Sequence, residues 1–233
     1  MGAGPDDRLI VALDFEEVGR ARGLVDALGE TVGFYKLGLQ LALAPGAEAF
    51  LDDLLGAGKK VFLDYKFYDI GETVRHAVAR AAARGVHLLT VHAVPQVMAA
   101  AVAGRGDAPT RILAVTVLTS LDDSDLRAMG HDQPAAALVE MRARQALEAG
   151  CDGIVSSPRE AASLRALAGG RPLRIVTPGI RPAGAAKDDQ KRAATPAAAI
   201  AAGADHLVVG RPITQAADPA AAAADILAEI AAA

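Results

Sequence analysis

The sequence predicts an α/β protein folded as a single closed (β/α)8 TIM barrel, and three observations predict it. Short Val/Ile/Leu-rich runs recur along the whole chain without strict alternation, the pattern of parallel strands covered on both faces. Helix-like stretches separate these runs, and glycine often closes them before the next run. Eight such units in 233 residues give about 29 residues each, an ordinary strand–helix length. No second zone of composition interrupts the alternation, so residues 1–233 read as one domain with its active site at the C-terminal ends of the strands.

The strands are expected at 8–13, 33–37, 60–64, 87–92, 111–117, 152–155, 173–177 and 206–209. The helices are expected at 16–28, 46–57, 71–84, 95–103, 134–149, 158–168, 195–202 and 219–231. Gly58, Gly85, Gly150 and Gly203 stand where helices must stop. Ser157-Pro158 and Thr195-Pro196 have the form of an N-cap followed by a first-turn proline. An open doubly wound sheet is the competing architecture. A dinucleotide site in it would show glycines after the first strand, and Ala12-Leu13-Asp14-Phe15 shows none. Longer insertions at 118–133 and 178–194 follow strands five and seven, where barrels carry lids and clamps.

Composition excludes several classes. Hydrophobic residues make up 52% and charged residues 22%, so the chain is globular and not disordered. The net charge of −4 comes with no basic cluster, which argues against a nucleic-acid surface. An anionic substrate must therefore be held by a few placed cations. Cys151 is the only cysteine, so no intramolecular disulfide can form, which fits a reducing cytoplasm. The opening segment has no signal-peptide core, and the Ala-rich end is broken by Asp225 and Glu229 and reads as an amphipathic helix. The expectation is a cytoplasmic protein that does not meet a membrane.

The chemistry concentrates in Leu63-Asp64-Tyr65-Lys66-Phe67-Tyr68-Asp69-Ile70, at the end of the third strand. Strand residues two apart share a face, so Asp64 and Lys66 should both point into the barrel mouth. Three charges within six residues are costly to desolvate unless paired. The plain reading is a surface ion cluster. Two further charges weaken it: Asp14 ends the first strand, and Lys36 interrupts the apolar run Phe34-Tyr35-Lys36-Leu37. On neighbouring strands Asp14, Lys36, Asp64 and Lys66 would alternate in sign and form a preorganised field.

These residues resemble the orotidine monophosphate decarboxylase family. The likeness rests on Asp64-x-Lys66-x-x-Asp69, Ala12-Leu13-Asp14 and Tyr35-Lys36-Leu37-Gly38. It continues in Leu118-Thr119-Ser120, Val176-Thr177-Pro178-Gly179-Ile180-Arg181 and Val209-Gly210-Arg211-Pro212-Ile213, in family order from about residue 8 to 215. The resemblance implies a carboxy-lyase that converts orotidine 5′-monophosphate to UMP and CO2 in pyrimidine biosynthesis. It implies a catalytic set of Lys66, Asp64, Lys36 and Asp69, with Lys66 as proton donor, Asp64 beside the substrate carboxylate and holding Lys66, Lys36 completing the charged network, and Lys36 and Asp14 at the ribose. It implies Thr119 at the pyrimidine edge, with Arg181, Gln190, Gly210 and Arg211 at the phosphate. Asp69 and Thr73 would cross a homodimer interface into the neighbouring site. No metal, flavin, pyridoxal phosphate or thiamine is expected, because a nearby cation and a proton suffice.

The chain departs from the family pattern at Gly71 and Glu72, where Pro and Asn are common, and at Tyr68, where His is common. The five histidines, His76, His87, His92, His131 and His206, show no metal-ligand spacing, and His92 is expected to pack near the mouth. Cys151 reads as a buried small residue. Phe50, Phe62 and Phe67 are too scattered for a base-stacking platform. The competing enzyme is a Mg2+-dependent sugar-phosphate decarboxylase or aldolase of the same superfamily, which resembles the Asp-x-Lys-x-x-Asp pattern but carries an acidic metal ligand on strand two. Lys36 stands there instead. A catalytically silent nucleotide-binding barrel is the third reading, and loss of Lys36, Asp64 or Lys66 would have favoured it.

Overall fold

The computed structural model describes residues 6–182 and 194–233. Within them eight parallel strands close into a barrel in sequence order. They are β1 (Leu9–Ala12), β2 (Phe34–Gly38), β3 (Lys60–Phe67), β4 (Leu88–His92), β5 (Arg111–Val115), β6 (Gly153–Val155), β7 (Arg174–Thr177) and β8 (His206–Val209). Closure comes from β1 pairing with β8, in the register Leu9–Leu207, Ile10–Val208 and Val11–Val209.

The helices follow the strands: α1 (Val18–Leu28), α2 (Leu39–Ala42), α3 (Ala47–Gly56), α4 (Gly71–Ala83), α5 (Pro95–Arg105), α6 (Asp123–Ala128) and α7 (Ala135–Glu148). A 3-10 turn at Pro158–Glu160 leads into α8 (Ala161–Ala168), and α9 (Pro196–Ala201), α10 (Arg211–Thr214) and α11 (Pro219–Ala231) complete the set. The expected glycine stops hold: Gly58, Gly85, Gly150 and Gly203 all have positive φ, which a side chain would strain. Ser157 Oγ accepts from the Arg159 amide and Thr195 Oγ1 from the Ala198 amide, as caps do.

Strand parity sorts the core into two layers. Outward residues such as Val11, Tyr35, Leu37, Leu63, Leu89 and Ile112 pack against the helices. Inward residues Ile10, Ala12, Phe34, Phe62, Leu88, Leu113, Val176 and Val208 fill the barrel interior. Helices α4 and α5 approach so closely that a Cβ on Gly104 would lie 2.3 Å from the Arg75 carbonyl oxygen.

Several expectations need correction. The third strand runs to Phe67, not to residue 64, because β3 continues through a register irregularity against β4 between Leu63 and Phe67. The fifth strand stops at Val115, not 117. The stretch 158–168 divides into the 3-10 turn and α8. Short α2 and α10 have no counterpart in the expected pattern, and the insertion at 118–133 contains α6, started by a capping box between Asp122 and Asp125. These short helices carry too few apolar residues to show a 3.6-residue period.

Candidate active site

The inward positions of β1, β2 and β3 change character along the barrel. Phe34 and Phe62 fill the interior, and one inward step further come Lys36 and Asp64. Asp14 follows β1, whose Ala12 pairs with Lys36. The charges therefore sit at the C-terminal mouth, above an apolar floor. They form a continuous chain: Lys36 Nζ lies 2.8 Å from Asp14 Oδ1 and 3.5 Å from Asp64 Oδ2, and Lys66 Nζ lies 2.9 Å from Asp64 Oδ1.

Lys66 reaches this position by a local departure from strand geometry. It has φ +48°, and among the described residues it is the only non-glycine residue with positive φ. Tyr65 and Phe67 pack on the outer layer, with ring centroids 6.1 Å apart, so Lys66 is left facing the interior beside Asp64. A left-handed non-glycine residue costs on the order of 1 kcal/mol, and such strain persists where surrounding contacts impose it.

The array is graded in exposure. The side chains of Lys36 and Asp64 are 9% and 15% exposed, while Asp14 is 53% exposed. Burial alone would raise the Asp64 carboxyl, but the Lys36 and Lys66 ammonium groups and hydrogen bonds from Lys66 and Thr90 outweigh it and hold the group below its usual range. Unit charges about 4 Å apart attract by roughly 4 kcal/mol at an effective dielectric near 20. Desolvation costs several kcal/mol per buried ion, so the buried Lys36–Asp64 pair depends most on this compensation and the more exposed Lys66 depends on it less.

The mouth opens into a cleft of about 730 Å3. Asp14, Lys36, Asp64 and Lys66 line it together with Thr119, Arg181, Gly210 and Arg211. Val115, Val155 and Val208 supply an apolar wall. Arg181 is placed by its own backbone, whose amide donates to the Ala194 carbonyl, and its Nη1 donates to the Ile180 carbonyl. Gln190 lies outside the described residues. Asp69 and Thr73 do not line this cleft. Both are exposed, and Asp69 Oδ1 accepts from the Ile70 amide. His92 is half-buried, its ring centroid 5.5 Å from that of Tyr68. Burial, then Lys66 and Arg142, push its pKa down.

Two contributors escape a reading of the sequence. Gly38 closes β2, and a Cβ there would lie 2.7 Å from Asp14 Oδ1 and 3.0 Å from Lys36 Nζ. It leaves the space in which that pair meets. Thr90 of β4 is fully buried and contacts Asp64 and Lys66 directly. Its signal was available: it is the polar residue at an inward position of an otherwise apolar run, Leu88-Leu89-Thr90-Val91.

Fold and site together define a barrel enzyme whose mouth holds lysines and aspartates in an alternating, mutually paired array. The chain belongs to the orotidine 5′-phosphate decarboxylase / HUMPS family, whose profile matches residues 7–226. It is 59% identical over 225 residues to the orotidine 5′-phosphate decarboxylase of Rhodopseudomonas palustris strain HaA2, covering 97% of this chain and 95% of the relative. It is 55% identical over 226 residues to that of Caulobacter sp. strain K31, covering 97% and 98%. The crystal structure of orotidine 5′-phosphate decarboxylase from Lactobacillus acidophilus superposes with a TM-score of 0.83 at 34% identity, covering 98% of this chain and 99% of that one.

Proposed function

We propose that this chain decarboxylates orotidine 5′-monophosphate to UMP and CO2, without a cofactor, in pyrimidine biosynthesis. The observation that carries the reading is the unbroken sequence of contacts Asp14–Lys36–Asp64–Lys66 at the mouth of a family barrel. The bond from the ring to the carboxylate breaks, CO2 departs, and the electron pair stays on the ring carbon. The Lys66 ammonium stabilises that charge and transfers its proton to the same carbon, and solvent reprotonates Lys66. Asp64 faces the substrate carboxylate and orients Lys66, while Lys36 and Asp14 hold the ribose. Thr119 meets the pyrimidine edge. Arg181, Gln190, Gly210 and Arg211 hold the phosphate, the usual barrel location for one. Energy from that remote contact serves the chemical step.

The Mg2+-dependent lyase is not favoured. The carboxylates a metal would need already meet ammonium groups at 2.8, 3.5 and 2.9 Å, and Lys36 would repel a divalent ion. A homodimer is part of the proposal. Asp69 and Thr73 lie outside their own cleft, and Leu39, Leu43, Tyr68 and Ile70 leave apolar surface exposed on the segments after β2 and β3. A cytoplasmic location is supported by the lone cysteine, and among the described residues no helix is long and apolar enough to cross a membrane.

The test is to mix purified protein with orotidine 5′-monophosphate and follow the ultraviolet change. Turnover that survives a chelator is expected, and folded protein without turnover would overturn the assignment. Mixing inactive Lys66→Ala with inactive Asp69→Asn tests the dimer. Hybrid dimers regain activity if Asp69 serves the neighbouring site and regain none if it serves its own.

A further inference from the structure

Thr90 stands on the inward side of β4 between Leu88, which belongs to the apolar floor, and His92, near the mouth. Its side chain has no solvent exposure. One hydroxyl offers a single proton and two lone pairs. The Lys66 amide donates to Oγ1 at 3.0 Å. The Thr90 proton has two acceptors within reach, Asp64 Oδ1 at 3.0 Å and the Leu63 carbonyl at 3.4 Å. The carboxylate is nearer and charged, so it takes the proton.

The place of this contact matters. The β3–β4 pairing loses register between Leu63 and Phe67, and there the Lys66 amide finds the hydroxyl of Thr90 as its acceptor. The same oxygen therefore ties the left-handed backbone of Lys66 to the Asp64 carboxylate. Asp64 Oδ1 is held twice, by Thr90 and by Lys66 Nζ at 2.9 Å, which turns Oδ2 toward Lys36 at 3.5 Å.

We propose that Thr90 is a positioning residue for the decarboxylation: its hydroxyl sets the Asp64 carboxylate and the Lys66 backbone in one geometry, and so aims the Lys66 ammonium. The inference rests on the decarboxylase reading above. It goes beyond that reading by placing a residue that touches no substrate in control of the chemical step.

The test compares Thr90→Val, which keeps the shape and removes the hydroxyl, with Thr90→Ser, which keeps the hydroxyl. Val should lower kcat on the order of tenfold to a hundredfold, the worth of one hydrogen bond to a charged acceptor, with KM little changed. Ser should restore most of the turnover. The acid limb of the kcat/KM profile should move to higher pH in Val, because Asp64 loses a bond to its charged form. Circular dichroism reports folding, and should Val not fold, Thr90→Ala replaces it with the same expectations. Full kcat in the hydroxyl-free variant, or equal losses in Val and Ser, overturns the inference and leaves the decarboxylase reading intact. A parent chain without turnover overturns both.

Discussion

Both ends of the barrel carry charged groups, and they use them differently. At the N-terminal end, two carboxylates serve strand backbone. Asp152 accepts from the Ile112 amide of β5 at 2.9 Å and pairs with Arg105 and Arg111. Asp205 accepts from the Ile175 amide of β7 at 2.7 Å and pairs with Arg165. His87 Nδ1 repeats the pattern by accepting from the Val61 amide of β3. At the C-terminal end, Asp14 and Asp64 meet lysine ammonium groups and open onto a cleft. A carboxylate spent on strand amides and arginines fixes the sheet. One paired with lysines beside a cleft leaves an ammonium able to give up a proton.

That contrast can be broken by substitution. The largest effect is expected at the mouth: Lys66→Ala should lower turnover by roughly 10^3-fold or more while the melting temperature changes little. Near-normal turnover would remove Lys66 from the chemistry. Gly38→Ala should come next, since its new Cβ would contest the space of the Asp14–Lys36 pair. A fall in kcat/KM on the order of tenfold to a hundredfold is expected, with a folded barrel by circular dichroism.

The opposite end should respond in stability. Asp152→Ala, at a side chain only 11% exposed, strands Arg105 and an amide and should cost about 2–3 kcal/mol in urea denaturation, with kcat retained. A large loss of kcat without loss of stability would erase the division between the ends. The smallest effect concerns pH. Burial lowers the pKa of His206 and His87 below the usual 6.5. Protons then bind the unfolded chain more readily, so stability is present above pH 6.5 and declines as pH falls through that value toward the folded pKa values. Melting temperatures between pH 7.5 and 5.5 should show this decline, and His206→Gln should flatten it.

Much of the molecule is legible in the order of its residues. The eight strands and the major helices were readable because apolar runs, glycine stops and caps are local signals. Strand alternation predicts one face for Asp64 and Lys66, and Lys66 reaches it through a left-handed backbone. Thr90 and Gly38 were harder, since their importance depends on what lies across a strand boundary. Asp152 and Asp205 carry no such signal, because the amides that they accept from, Ile112 and Ile175, lie on other strands.

The sequence by itself determined the repeat of strand and helix, the apolar floor and the identity of the charged groups at the mouth, because each is set by neighbours within a few positions. Only the tertiary structure decided which charge meets which, that Lys66 takes a left-handed backbone, and that one threonine hydroxyl joins it to Asp64. Apart from the Asp64–Lys66 pair, those contacts join residues more than twenty positions apart, and only the folded barrel brings them within reach.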